Sequence, residues 1–176
     1  RILVVLKSGE YYLSTFDAGN HYEDNILLIE KYRQGHVWTA VVDDADQGYP
    51  YLKRFTFEPV SKRTRFIGDN AKSSLVLLSD ATGCRIEITY GGDDAYRPST
   101  IVEAVDFIAV KSYKAKGKRL TTYTVEAIKE IEPLPVEEPA EEPVDEPLPD
   151  DTPVTDEPER SDDEVRDEIN GQQRIF

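Results

Sequence analysis

Apolar residues in this chain occur in short runs, rich in β-branched and aromatic side chains, each closed by Gly, Asp or Asn. That pattern selects strands over helices. Ile2–Lys7, a Ser8-Gly9-Glu10 turn and Tyr11–Phe16 read as a β-hairpin. Val37–Val42 and Tyr51–Phe57, joined through Asp43–Pro50, read as a second. Leu75–Leu78 and Arg85–Tyr90, joined through Ser79-Asp80-Ala81-Thr82-Gly83, read as a third. Further strands are expected at 25–32, 64–67, 102–110 and 119–126, with a short helix beginning in 126–131. The hairpins start near residues 2, 37 and 75, so a hairpin unit recurs at an interval of about 35–38 residues. A recurring hairpin suits a propeller-like or solenoid array. An ordinary antiparallel sandwich with evenly spaced strands meets the same pattern.

The distribution of charge divides the chain. From Glu132 to Phe176 there are 17 acidic and three basic residues, and in residues 1–131 there are 18 of each. The net charge of −14 therefore belongs to the C-terminal part, and the strand-rich body is neutral. The same stretch holds eight of the 11 prolines in Pro-Val-Glu-Glu-Pro-like repeats, a composition that cannot offset the entropy of ordering. The expected organisation is a body at 1–131, a disordered acidic linker at 132–160 and a distinct tail at 161–176. In that tail Ser161-Asp162-Asp163-Glu164 is a capping-box pattern, and Val165 and Ile169 share a face of a short helix. Cys84 is the sole cysteine, which excludes an intrachain disulfide and suits a reducing cytoplasm. No apolar run is long enough for a membrane span, and the N-terminal residues are not those of a secretion signal. Opening directly on a strand at Arg1, the chain reads as a fragment of something longer.

Two clusters are basic within the balanced body. Residues 51–66 carry Lys53, Arg54, Lys62, Arg63 and Arg65 against one acid, Glu58. Residues 107–120 carry Lys111, Lys114, Lys116, Lys118 and Arg119 with no acid. Clustered Lys and Arg on loops and strand edges, with hydroxyls and Gly117 nearby, suit neutralisation of phosphates without base reading. The same residues also suit solvated strand faces and edge-protecting lysines. The Asp43–Gly48 loop lacks the acid that closes a calcium shell at its twelfth position and reads as a solvated turn. Gly91-Gly92-Asp93-Asp94 reads as a turn too, without phosphate-loop spacing. His21 and His36 have no metal-ligand spacing, and no nucleophile elbow is present. No catalytic residue or metal ligand is assigned.

Read as strings, Tyr51-Leu52-Lys53-Arg54-Phe55 and Asp106–Leu120, together with the Lys7-Ser8-Gly9-Glu10 turn, resemble the C-terminal domain of the A subunit of bacterial topoisomerase IV. The resemblance covers residues 1–131 and is strongest over 104–131. It implies an all-β partial β-pinwheel, with propeller-like antiparallel hairpin blades and a basic rim that binds or bends duplex DNA. It also implies that the chain holds the last two or three blades, followed by the acidic tail. The implied parent is an ATP-dependent type IIA topoisomerase of the bacterial nucleoid, working with a B subunit. Its ATP, Mg2+ and catalytic tyrosine belong to other domains, so no cofactor is expected in this segment. The Gln-Arg-Arg-Gly-Gly-Lys-Gly box tied to chiral wrapping in gyrase is absent from these residues, which favours relaxation and decatenation. Finally, Gln172-Gln173-Arg174-Ile175-Phe176 is similar to the peptide by which bacterial DNA-processing proteins bind the sliding clamp, with Ile175 in place of the usual leucine. Gln172, Ile175 and Phe176 are thus candidate partner contacts, and a protein–protein adaptor is the alternative function.

Overall fold

The computed structural model describes residues 1–134. The acidic segment beyond them, the helix expected in 161–176 and the Gln172–Phe176 motif lie outside the described residues.

The regular structure of the described residues is almost all strand, arranged in three sheets. The first sheet is built on the expected hairpin of β1 (Ile2–Leu6) and β2 (Glu10–Ser14), with Val4 opposite Tyr12. Its turn places Gly9 at φ +80°, and a Cβ there would strike the Ile67 side chain at 2.2 Å. β3 (Ile26–Lys31) pairs with the other edge of β1, and β6 (Thr64–Arg65) with β2. The second sheet is built on the long hairpin of β4 (Val37–Asp44) and β5 (Tyr49–Thr56).

The third hairpin is corrected. β7 (Ser74–Ser79) does not pair with β8 (Arg85–Tyr90); it lies antiparallel on the free edge of β4, with Val41 opposite Leu77. β8 enters the third sheet between β9 (Thr100–Glu103) and β12 (Val125–Ile131). The Asp80–Gly83 turn therefore carries the chain from one sheet to the next. A turn signal marks a change of direction, and the bare edge of β4 decides the pairing.

The short helix expected in 126–131 is strand as well. Along β12, Ile128 lies opposite Ile88 and Lys129 opposite Glu87, so one side of the pair is apolar and the other oppositely charged. The run 102–110 is broken. After β9, Ala104 is fully buried and begins the helical turn α1 (Ala104–Phe107), whose Ala104 carbonyl accepts the Ile108 N–H at 3.2 Å. The chain then continues as β10 (Val110–Ser112), and the strand expected at 119–126 reduces to β11 (Lys118–Arg119) and the start of β12.

Two apolar cores separate the sheets. Leu3, Val5 and Tyr11 of the first sheet pack on Trp38, Ala40, Val42 and Phe55 of the second, with Phe57, Phe66 and Tyr113 completing a set of interlocked rings. Val41 and Leu52, on the opposite face of the second sheet, pack on Cys84, Ile86, Ala104 and Ile108. The middle sheet is thus buried on both faces, which is why β4 reads as a continuous apolar run. Each of the first two sheets also takes strands from further along the chain: β6 joins the first, β10 and β11 the second.

Candidate nucleic-acid interface

The 107–120 cluster forms the outer edge of the second sheet. β10 runs parallel to β5, with Val110 opposite Arg54, and the chain reverses so that β11 returns antiparallel, with Lys118 opposite Leu52. The reversal is held by Ala115 N–H to the Ser112 carbonyl at 2.9 Å and Leu120 N–H to the Pro50 carbonyl at 2.8 Å. It is also held by the absence of a side chain at Gly117. That residue has φ +94°, and a Cβ would meet the Leu52 carbonyl oxygen at 2.3 Å.

This strand–turn–strand brings all five predicted cations of the second cluster to one exposed edge. Four of them stand over aromatic rings: Lys114 Nζ is 5.7 Å from the Tyr113 ring, Lys116 5.3 Å from Tyr51, and Lys118 4.3 Å from Phe107, with the Arg119 guanidinium 5.1 Å from Tyr49. Each such contact contributes about 0.5–1 kcal/mol at an exposed site and limits the freedom of a long side chain. Among the described residues Lys111, Lys114, Lys118 and Arg119 have no carboxylate partner. Lys116 differs, since its Nζ donates to Asp44 Oδ2 at 2.9 Å, and that bond raises its pKa. Asp44 is buried and also accepts the Gln47 N–H at 2.9 Å, so the turn read as merely solvated contains a structural carboxylate. Nothing in the sequence signals that pair, because Asp44 ends β4 and Lys116 lies in the β10–β11 turn, far apart in the chain.

The first cluster is dispersed, and most of it serves the fold. Lys53 is 3 % exposed, and its ammonium donates to the carbonyls of Phe66 and Tyr113. Burial lowers its pKa to about 8. Arg54 is half-buried and donates to the Ile108 carbonyl at 3.1 Å. Arg65 donates to four carbonyls, those of Ser8, Gly68, Asn70 and Ser73, at 2.6–3.1 Å. Arg63 pairs with Glu23 and stands 6.0 Å from the Tyr12 ring, beside the first sheet. Of this group Lys62 is exposed without a carboxylate partner among the described residues.

Elsewhere Lys7, Lys31, Lys72 and Lys129 are also exposed without a carboxylate partner among the described residues, but they are dispersed along the chain. A cavity of about 650 Å3 between the β4–β5 turn and β12 sets Lys72 and Tyr49 against Asp43 and Glu126. On its rim the Arg97 guanidinium stacks 3.5 Å above the Tyr123 ring and is paired with Asp94 at 2.9 Å. That pair was not foreseen from the sequence, and its charges cancel. Among the described residues no helix is long and apolar enough to cross a membrane.

An all-β body that sets four exposed cations, without a carboxylate partner among the described residues, along one sheet edge offers a surface suited to polyanions. The sequence model of the Bacteroidota topoisomerase C-terminal domain matches residues 1–132, and the chain belongs to that family. The chain matches no curated protein and no solved structure.

Proposed function

We propose that this chain is the C-terminal, DNA-engaging part of a topoisomerase IV-like A subunit, and that the β10–β11 edge grips duplex DNA through its phosphates. The observation that carries this reading is the set of four cations without a carboxylate partner among the described residues, Lys111, Lys114, Lys118 and Arg119, on a single edge, the last three standing over aromatic rings. Lys53, Arg54 and Arg65, occupied by backbone carbonyls, shape the surface without touching phosphate.

Lysines and one arginine spread along a strand edge suit phosphates rather than base edges, which supports sequence-independent binding governed by counterion release. The domain holds and bends a segment of DNA and presents it to the cleavage and ATPase machinery of the rest of the enzyme, B subunit included. Relaxation and decatenation follow from that role. The acidic C-terminal segment lowers the affinity by competing electrostatically with the DNA. The test is fluorescence anisotropy of a labelled random 40-mer duplex against the full chain in a salt series. Affinity should fall by orders of magnitude over a fourfold rise in salt if about six phosphates are engaged. Absence of binding at low salt would remove the reading.

A further inference from the structure

We propose that Lys53 is the positioning residue of this interface: its buried side chain ties the β10–β11 turn to the segment after β6 and so fixes where Lys114, Lys116, Lys118 and Arg119 project. The functional half of this inference rests on the reading of the edge as a phosphate-binding surface; the tie itself does not.

Lys53 lies on β5 opposite Ala40, on the same face as Phe55, so its side chain enters the core between the first two sheets. There its Nζ lies 5.0 Å from the centre of the Phe55 ring and donates to two carbonyls. One acceptor is Phe66, next to β6. The other is Tyr113, the first residue of the turn that carries the basic side chains. Tyr113 is itself buried, with its ring 5.6 Å from that of Tyr11. The ammonium thus bridges two backbone segments that share no strand pairing, and the turn is fixed from inside by Lys53 and Tyr113. From outside it is fixed by the close approach of Gly117 to Leu52.

A cavity of about 130 Å3 adjoins the side chain and is lined by the ionisable groups of Asp44, Asp46, Tyr51, Lys114 and Lys116. The Tyr11 and Tyr113 phenols lie on the core side. Of these groups Lys53 is the one brought by burial to a midpoint of about 8. A neutral amine keeps two N–H donors for two carbonyls but loses the charge that strengthens them. The turn should therefore stay in place and report the titration.

The experiment follows the backbone amides of residues 112–118 by NMR in the full chain between pH 6.5 and 9.5, without DNA. The expected result is a shared titration with a midpoint near 8, absent in Lys53→Met. The methionine keeps the stem but has no donor, so it should also weaken binding of the 40-mer duplex at least about tenfold and flatten its salt slope. Amides that do not titrate in the wild type would overturn the tie, and that measurement needs no variant to fold. An unchanged turn spectrum and unchanged duplex affinity in a folded Lys53→Met would overturn it equally. Wild-type amides that titrate as expected in a chain that binds no duplex would keep the tie and remove the DNA reading instead.

Discussion

Arg65 donates to four carbonyls and Lys53 to two, whereas Lys118 and Arg119, drawn from the same residue types, stand over rings at the surface. The difference follows from what each strand leaves unsatisfied: a loop or a core rim with unpaired carbonyls recruits the nearest donor. Arg65→Ala should therefore cost about 2–3 kcal/mol in urea unfolding, since it strands several acceptors at once. It should leave the salt slope of duplex binding as it was; a flattened slope would show that Arg65 touches phosphate. Lys116→Ala should weaken DNA binding less than Lys118→Ala, because Lys116 already spends its charge on Asp44. Equal losses in anisotropy titrations would mean that this ion pair opens when DNA arrives. Lys53 gives stability a definite pH dependence. Its folded pKa of about 8 lies below the ordinary lysine value of 10.5, so the unfolded chain holds more protons between those values. The cost of burying the charge is fully present below the folded value and is relieved as pH rises through it. Wild-type stability should accordingly rise relative to Lys53→Met between pH 8 and 10, and a flat difference would count against a buried ammonium.

At the scale of elements, the β1–β2 and β4–β5 hairpins are legible because pattern and turn chemistry agree over a short span. The β7–β8 hairpin misleads, because the same local signals say nothing about which edge a strand will find. Pairing of β7 with β4 and of β8 with β12 is decided by apolar faces far apart in sequence. The site divides in the same way. The 107–120 cluster is readable since its alternation of cations with small or aromatic residues survives as an exposed edge. The 51–66 cluster is not, since burial of one side chain on β5 depends on what packs above it. Gly117 belongs to the readable part, and its consequence is structural. Gly117→Ala combines an unfavourable φ of +94° with a Cβ 2.3 Å from the Leu52 oxygen. It should cost about 2 kcal/mol or more and lift β11 from β5. Chemical denaturation and duplex titration should then fail together, and a stable variant with intact affinity would show that the edge tolerates a displaced turn.

Over the whole molecule, the body is neutral while 17 carboxylates against three arginines lie beyond residue 131. A neutral body offers DNA no attractive mean field, so the proposed binding would rest on local excess, the four cations of one edge that have no carboxylate partner among the described residues. Replacing Lys111, Lys114, Lys118 and Arg119 by Ala should reduce the salt slope by about 3.6 and weaken all sequences alike, at about 0.9 for each of four lost phosphate contacts. The same argument fixes the effect of the acidic segment. On the proposed reading its charge would act against DNA by repulsion and by competing for the same cations, and both effects would fade when the screening length drops to about 8 Å near physiological salt. Residues 1–134 should thus bind the 40-mer more tightly than residues 1–176 at low salt, with the two curves converging as salt rises. Because the tail repels rather than contacts phosphate, its removal should steepen the apparent salt slope of the truncated chain. Equal affinities at low salt would sink the regulatory role of the segment and leave the edge as the sole electrostatic determinant.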